Sequence, residues 1–437
     1  MVGQSEEKKY TGIFIWLSCA LAAVFIIATI TRKDSSYPVT EEEHILPLKE
    51  LNKELSNDMS DITELTGLDK KIEKYIWKWH IKGASLAITR NDSLVYAKGY
   101  GWAEEETETK MNTGHIMRVA SVSKLITAVG IMVLQDQGKL NIKDKVFGPE
   151  GILNDEFFSD LTKRDSRYQM MTVEDVMRHR GGFYRDPLFS SIDVQTQMGL
   201  ENPPTKEDFF KLVLGHKLKA KPGTYSSYSN FGYLLLSEII EKVSGEEYET
   251  FIQEYVLKPA GCYDMHIGGI YYEDKRPNEV RYYTHEGPGK YISDFMNPEE
   301  MVERCYGGTN LPLLSGAGAW CSSTVELARF VASINGNGII QDIISKESME
   351  LMTEHFFHEK KYSLGWNSTH PTKGWNRTGT LAGTSALIRN YPDGECWILV
   401  TNTSTYLGPN FTDKTDALFK ECRKLYSSKL PYCNLFE

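Results

Sequence analysis

The chain has 437 residues, 41% of them hydrophobic and 25% charged, which is a globular composition with a substantial core. Its formal net charge is -10. That balance excludes a nucleic-acid partner as the leading reading, because neutralising phosphates takes clustered Lys and Arg and no basic run here exceeds a pair.

Residues 1–11 form a short tail that lacks the Arg-rich, acid-poor character of a mitochondrial transit peptide. Residues 12–30 carry no charge and are mostly apolar, between Lys8-Lys9 and Arg32-Lys33. That length spans a bilayer core as one transmembrane helix. A cleaved signal peptide fits less well, since its apolar region is shorter and ends in small residues, unlike Ala28-Thr29-Ile30-Thr31. Residues 31–60 are polar and acidic, with Glu41-Glu42-Glu43, and read as a stalk in which Leu51 and Leu55 belong to a short helix. Basic flanks of equal size leave the topology to other signals. Five glycosylation sequons follow, at Asn91, Asn367, Asn376, Asn402 and Asn410, together with an even set of Cys262, Cys305, Cys321, Cys396, Cys422 and Cys433. Both favour a lumenal or extracellular body.

The body is expected over residues 61–437. Leu68, Ile72, Tyr75, Ile76 and Trp79 share one helical face. Ala84 to Thr89 and Leu94 to Lys98 are strand-like around Arg90-Asn91-Asp92-Ser93, which puts Asn91 at a hairpin tip. Ser121 opens a nearly all-apolar run, Leu125 to Leu134, closed by Gly138, and this reads as a buried helix. Phe231 to Val243 is a second apolar helix. Tyr271 to Gly308 has no clear period and reads as a surface insertion, and Phe183 to Pro204 as a wall of the cleft. Thr324 to Ile334 is helical. Tyr362 to Trp366, Ser385 to Asn390 and Glu395 to Asn402 read as strands, followed by a helix over Thr412 to Tyr426. Strands at both ends with a helical middle predict an α+β fold, an antiparallel sheet built from both ends of the domain with a helical lobe inserted.

Three short words carry the chemistry. In Ser121-Val122-Ser123-Lys124 a hydroxyl nucleophile has an amine one helical turn away. Lys124 can act as a base only if desolvation or a nearby cation lowers its pKa. Tyr228-Ser229-Asn230 offers a phenol to relay a proton and a carboxamide to hold Lys124. Arg377-Thr378-Gly379 offers that cation and a close-packing glycine. The helix start stabilises a developing oxyanion, with Ser121 N–H as one donor and Thr380 N–H as the second. Ser5-Glu6-Glu7-Lys8 matches the first word equally well, so only the combination is specific.

That combination resembles the serine β-lactamase and penicillin-binding-protein superfamily. Arg118 to Lys124, Pro222-Gly223-Thr224 with Tyr228 to Tyr233, Ser315-Gly316-Ala317-Gly318 and Tyr362 to Trp366 look like its class C branch, which includes animal lactamase-β-like serine hydrolases. The resemblance covers Asp61 to Tyr426. It implies a β-lactamase/transpeptidase-like fold with Ser121 as nucleophile, Lys124 and Tyr228 sharing base and acid roles, Asn230 orienting them, and Thr380 N–H completing the oxyanion hole. Arg377 departs from the Lys or His of relatives; it keeps the charge but cannot give up a proton. Arg180-Gly181-Gly182 after His179 also departs from the usual Thr-Ser-Gly, and His179 reads as structural.

The resulting expectation is a membrane-anchored serine hydrolase acting through an acyl-enzyme on amide or ester bonds of a small-molecule or peptide substrate, with no cofactor or metal. Peptidase or esterase activity is favoured over β-lactamase activity, and a homo-oligomer stays open. There is no Gly-x-Ser-x-Gly elbow and no His-Glu-x-x-His, and His355 with His358 lacks a third ligand. The rival is a catalytically silent, membrane-tethered scaffold or filament-forming protein with the same fold.

Overall fold

The alternating runs around Asn91 fold as a hairpin of β1 (Gly83–Arg90) and β2 (Ser93–Glu104). At its turn exposed Asn91 and buried Asp92 take left-handed φ values of 46° and 62°, as a tight turn between twisted strands requires. Five further strands, β3 (Thr109–Lys110), β4 (Ser368–His370), β5 (Gly374–Leu381), β6 (Thr384–Asn390) and β7 (Glu395–Thr401), complete one antiparallel sheet in the order β4-β5-β6-β7-β1-β2-β3. The first and last parts of the body therefore meet at its centre, where Leu86 pairs with Leu399 and Ile88 with Trp397. The computed structural model describes residues 49–189, 191–287, 291–294, 296–355 and 362–437. The tail and membrane helix expected over 1–30 lie outside these residues, and among the described residues no helix is long and apolar enough to cross a membrane.

Each face of the sheet has its own core, because side chains alternate across a strand. Leu86, Ile88, Trp397 and Leu399 face α1 (Thr66–Lys78) and the C-terminal helix. Ala87, Ile398 and Val400 face the larger cluster that contains α2 (Ser123–Asp136), α3 (Asn230–Ser244) and α4 (Thr324–Ala332). The C-terminal helix is α5 (Phe411–Tyr426). Residues from Ser123 to Leu134 are all buried, which is why that run shows no polar face. In α3 the Ser229 hydroxyl accepts from Gly232 N–H at the start, and Gly245 ends the helix at a φ of 77°.

Four expectations need correction. The stalk drawn over residues 31–60 ends earlier, since the compact body begins at Lys49. Leu51 and Leu55 are buried, and Asn57 bonds Gly99 through both its carbonyl and its amide along the outer strand β2. Tyr362 to Trp366 is not a strand. Gly365, at a φ of 81°, lets this segment cross closely over α2, where an added Cβ would stand 2.7 Å from that of Ala128. The Tyr271 to Gly308 segment is not a mere surface insertion, because Val280, Tyr282, Cys305 and Tyr306 are buried. Part of it meets a buried cation: Arg118 donates to Cys305 O at 2.7 Å and lies 4.3 Å from the Tyr282 ring centroid. Finally, all six cysteines counted as an even set are free thiols, and only Cys433 is exposed.

The sequons separate by exposure. Asn91 and Asn410 are exposed. Asn402 is fully buried, accepting from Gly83 N–H at 2.7 Å and donating to Trp102 O and Ala103 O. Asn376 lies within β5 and donates to Ser368 Oγ.

Candidate active site

The approach to α2 is a single 3-10 turn, Ala120–Val122, entered through Ala120 at a φ of 49°. A non-glycine residue rarely adopts that conformation, and it persists only where the surroundings hold it. Here Ser123 supplies the hold: its hydroxyl donates to Ala120 O at 2.7 Å and accepts from Trp320 N–H at 3.1 Å. Ser121 is thereby fixed at the head of a buried helix. Sequence reasoning passed over Ser123 as a spacer within the first motif.

Lys124, one turn on, is completely buried. Its Nζ lies 3.2 Å from Ser121 Oγ and donates to Asn230 Oδ1 at 2.8 Å and Ala317 O at 2.5 Å. Burial lowers its pKa; Tyr228 opposes that effect and Arg377 reinforces it. The Ala317 contact gives the Ser315-Gly316-Ala317-Gly318 word a physical meaning that the sequence alone did not disclose.

Tyr228 donates from its hydroxyl to Ser121 Oγ at 2.8 Å. Although 36% of the residue is exposed, its hydroxyl end points into the site. Desolvation there acts to raise its pKa, but the charges of Lys124 and Arg377 outweigh it and bring the phenol down to about 8. Beneath the ring lies His179, with its centroid 4.5 Å from that of Tyr228. His179 Nδ1 accepts from Ser229 N–H at 3.1 Å. Burial, then Lys124 and Arg377, hold its pKa well below the usual range, so it is a neutral platform. Asp186, which the motifs did not flag, accepts from Asn230 N–H and from Phe231 N–H, the latter at 3.1 Å, and so fixes the start of α3.

Arg377 stands differently from what its charge alone implied. It is 1% exposed and turned inward, with Nε donating to Ser121 O at 2.7 Å. Nη2 donates to the same carbonyl and lies 3.5 Å from Tyr228 Oη. It therefore grips the Ser121 backbone instead of presenting a cation to the cleft. Gly379, two residues on, allows β5 to pass against the Ser121 turn: an added Cβ would meet Val119 O at 2.1 Å and Ser121 N at 3.1 Å. Thr380 follows on that strand, paired with Ser385. The structure thus brings Ser121, Lys124, Tyr228, Asn230 and Arg377 together, with Thr380 on the adjoining strand. His355 is elsewhere, its ring 4.7 Å from that of His370, and His358 lies outside the described residues.

The sequence profile of the Beta-lactamase family matches residues 68–420, a span that contains every one of these groups. The chain belongs to the Beta-lactamase family. Penicillin-binding protein 4* of Bacillus subtilis (strain 168) is similar, with 26% identity over 328 residues, 72% of this chain and 66% of that protein. The chain thus spans just under two thirds of that relative's length. Among solved structures, the octameric penicillin-binding protein homologue from Pyrococcus abyssi aligns with a TM-score of 0.61 and 24% identity, covering 83% of this chain and 77% of that one. A class C beta-lactamase aligns with a TM-score of 0.63 and 19% identity, covering 84% and 96% respectively. At these identities the structural likeness is one of fold.

Two surface cavities adjoin residues named above. One of about 230 Å³ is lined by Tyr228, and another of about 300 Å³ by Thr380.

Proposed function

We propose that this chain is a serine hydrolase that cleaves amide or ester bonds through an acyl-enzyme at Ser121. The reading rests on one observation, the pair of hydrogen-bonding groups on Ser121 Oγ, Lys124 Nζ at 3.2 Å and Tyr228 Oη at 2.8 Å. Both are titratable groups shifted toward their deprotonated forms. In this scheme one of the pair takes the Ser121 proton as Oγ attacks the carbonyl carbon, and Tyr228 passes a proton to the departing oxygen or nitrogen. The Ser121 and Thr380 N–H groups receive the oxyanion. Water then hydrolyses the acyl-serine ester, with the same pair removing its proton. Asn230 fixes Lys124, and Arg377 fixes the Ser121 backbone while its charge favours a phenolate.

We further propose that residues 12–30 anchor the chain in a membrane with the body on the lumenal or extracellular side, glycosylated at exposed Asn91 and Asn410. Oligomerisation is proposed by analogy with the octameric homologue. A fluorophosphonate probe tests the central claim: labelling should be complete in the wild type and vanish in Ser121→Ala. A folded wild type that never labels would instead support the silent scaffold. Glycopeptide mapping tests the topology, and unmodified Asn91 and Asn410 would refute it.

A further inference from the structure

Just beyond α4 the chain reads Asn335-Gly336-Asn337-Gly338, its only two Asn-Gly pairs. Asparagine is a thermolabile residue, and a glycine after it leaves the backbone nitrogen unshielded by any side chain. Both carboxamides are committed to one partner. Asn335 Nδ2 donates to Asp92 Oδ1 at 2.5 Å, and Asn337 Nδ2 donates to the same oxygen at 3.1 Å. Asp92, at the turn of the β1–β2 hairpin, is 2% exposed, and among the described residues its Oδ2 has no hydrogen-bond partner. The two amides therefore carry the hydrogen bonding of a buried carboxyl group.

The two pairs differ in freedom. Asn335 is held at both ends of its carboxamide, because Oδ1 also accepts from Asn337 N–H at 3.0 Å, and the next nitrogen is engaged as well, Gly336 N–H donating to Asp342 Oδ1 at 3.2 Å. Asn337 is held through Nδ2 alone. Gly338 is exposed at a φ of 72°, an added Cβ there would meet nothing within 4 Å, and among the described residues its N–H donates to no acceptor. The Asn337 carboxamide thus swings onto Gly338 N by breaking one hydrogen bond, whereas the same movement at Asn335 breaks three.

We infer that Asn337 is a site of spontaneous covalent modification, an asparagine that converts to aspartate or isoaspartate in the folded protein and so turns a donor to Asp92 into a second carboxylate beside it. In the first step Gly338 N bonds to Asn337 Cγ and the Cγ–Nδ2 bond breaks. The Gly338 amide proton leaves with Nδ2 as ammonia, and a succinimide remains. Water then adds to one of the two ring carbonyls, and opening of the ring gives the aspartyl or the isoaspartyl chain. No other reactant is required. The product replaces one of two hydrogen bonds on Asp92 by repulsion between like charges, which weakens the contact between the 335–342 loop and the hairpin.

The test starts from full-length protein aged at mildly alkaline pH, either folded or in urea, with peptide mapping by mass spectrometry that separates aspartate from isoaspartate. In urea both asparagines should convert at similar rates. In the folded protein Asn337 should convert about tenfold or more faster than Asn335, the factor that the additional hydrogen bonds at Asn335 supply. Equal rates in the folded chain, or an Asn337 that stays an amide there while converting in urea, would overturn the site. Thermal melting reads the consequence: Asn337→Asp should melt about 2 °C or more below Asn337→Ser, and the gap should close in an Asp92→Asn background. Aged wild type, its converted fraction resolved by ion exchange, gives the same comparison without any substitution. An aspartate variant and a converted fraction as stable as their uncharged counterparts would overturn the coupling to Asp92.

Discussion

Replacing Gly379 by alanine adds one carbon where the structure has no room for it. The new Cβ would lie 2.1 Å from Val119 O, at least about 1 Å inside ordinary contact. Neither partner is a flexible side-chain end. Val119 O belongs to the backbone leading into the Ser121 turn, and that turn is pinned by Ser123 and by Arg377. The strand must therefore retreat by about 1 Å, carrying Thr380 away from the Ser121 N–H. A displacement of that size costs about 10²-fold in a positioned reaction, and an oxyanion donor lost outright costs about 10² to 10³-fold. Global stability should fall by only about 1 to 3 kcal/mol, the usual range for overpacking. The assay is the second-order rate of fluorophosphonate labelling, with thermal melting as the control for folding. Gly379→Ala that stays folded and labels within about threefold of wild type would refute the idea that strand contact builds the oxyanion site.

Three further outcomes follow from the same structure. Tyr228 and Lys124 titrate as a coupled pair, so labelling and turnover should rise about tenfold per unit toward pH 8 and then level off, and Arg377→Gln should move that limb to higher pH by removing a charge that lowers both groups. Burial pushes Glu326 up to about 7, so the folded carboxyl holds its proton in a window where the unfolded one has lost it. Stability should then fall as pH rises from about 4.5 to 7, by up to about 3 kcal/mol, and Glu326→Gln should flatten that slope in urea titrations. Asn402→Ala leaves Gly83 N, Trp102 O and Ala103 O without their buried partner, so denaturant titration should show a loss of about 3 kcal/mol or more, and Asn402 should carry no glycan in the folded protein.

Much of this was readable before the fold was known. The hairpin around Asn91, the helix behind Ser121 and the C-terminal strands each announce themselves by period and turn chemistry, which are local properties. The pairing of Ser121, Lys124, Tyr228 and Asn230 was legible because three motifs, each weak alone, occur in the order and context of a known family. The direction of Arg377 was not, because a cation looks the same in sequence whether it faces a cleft or a backbone carbonyl. Tyr271 to Gly308 was misjudged for a related reason. Cys305, Tyr282 and Tyr306 meet Arg118, and contacts to one side chain leave no period in the sequence. The same holds for residues 49–60, whose polar composition concealed that Asn57 and Ser60 bond the outer strand.

The central strands β1 and β7 have a consequence for how this protein comes into being. Gly83 and Asn402, which join them, are 319 residues apart in the chain. The nucleophile's support comes from β5, which is also synthesised late. During translation the segment from Ser121 to Asn230 therefore emerges long before β5 and its Arg377 can reach it. The Ser121 site is therefore incomplete until the final strands leave the ribosome, and loop closure over so long a separation makes folding slow. A C-terminal truncation of even the last four dozen residues would remove β7, and with it both the closure of the sheet and the chemistry.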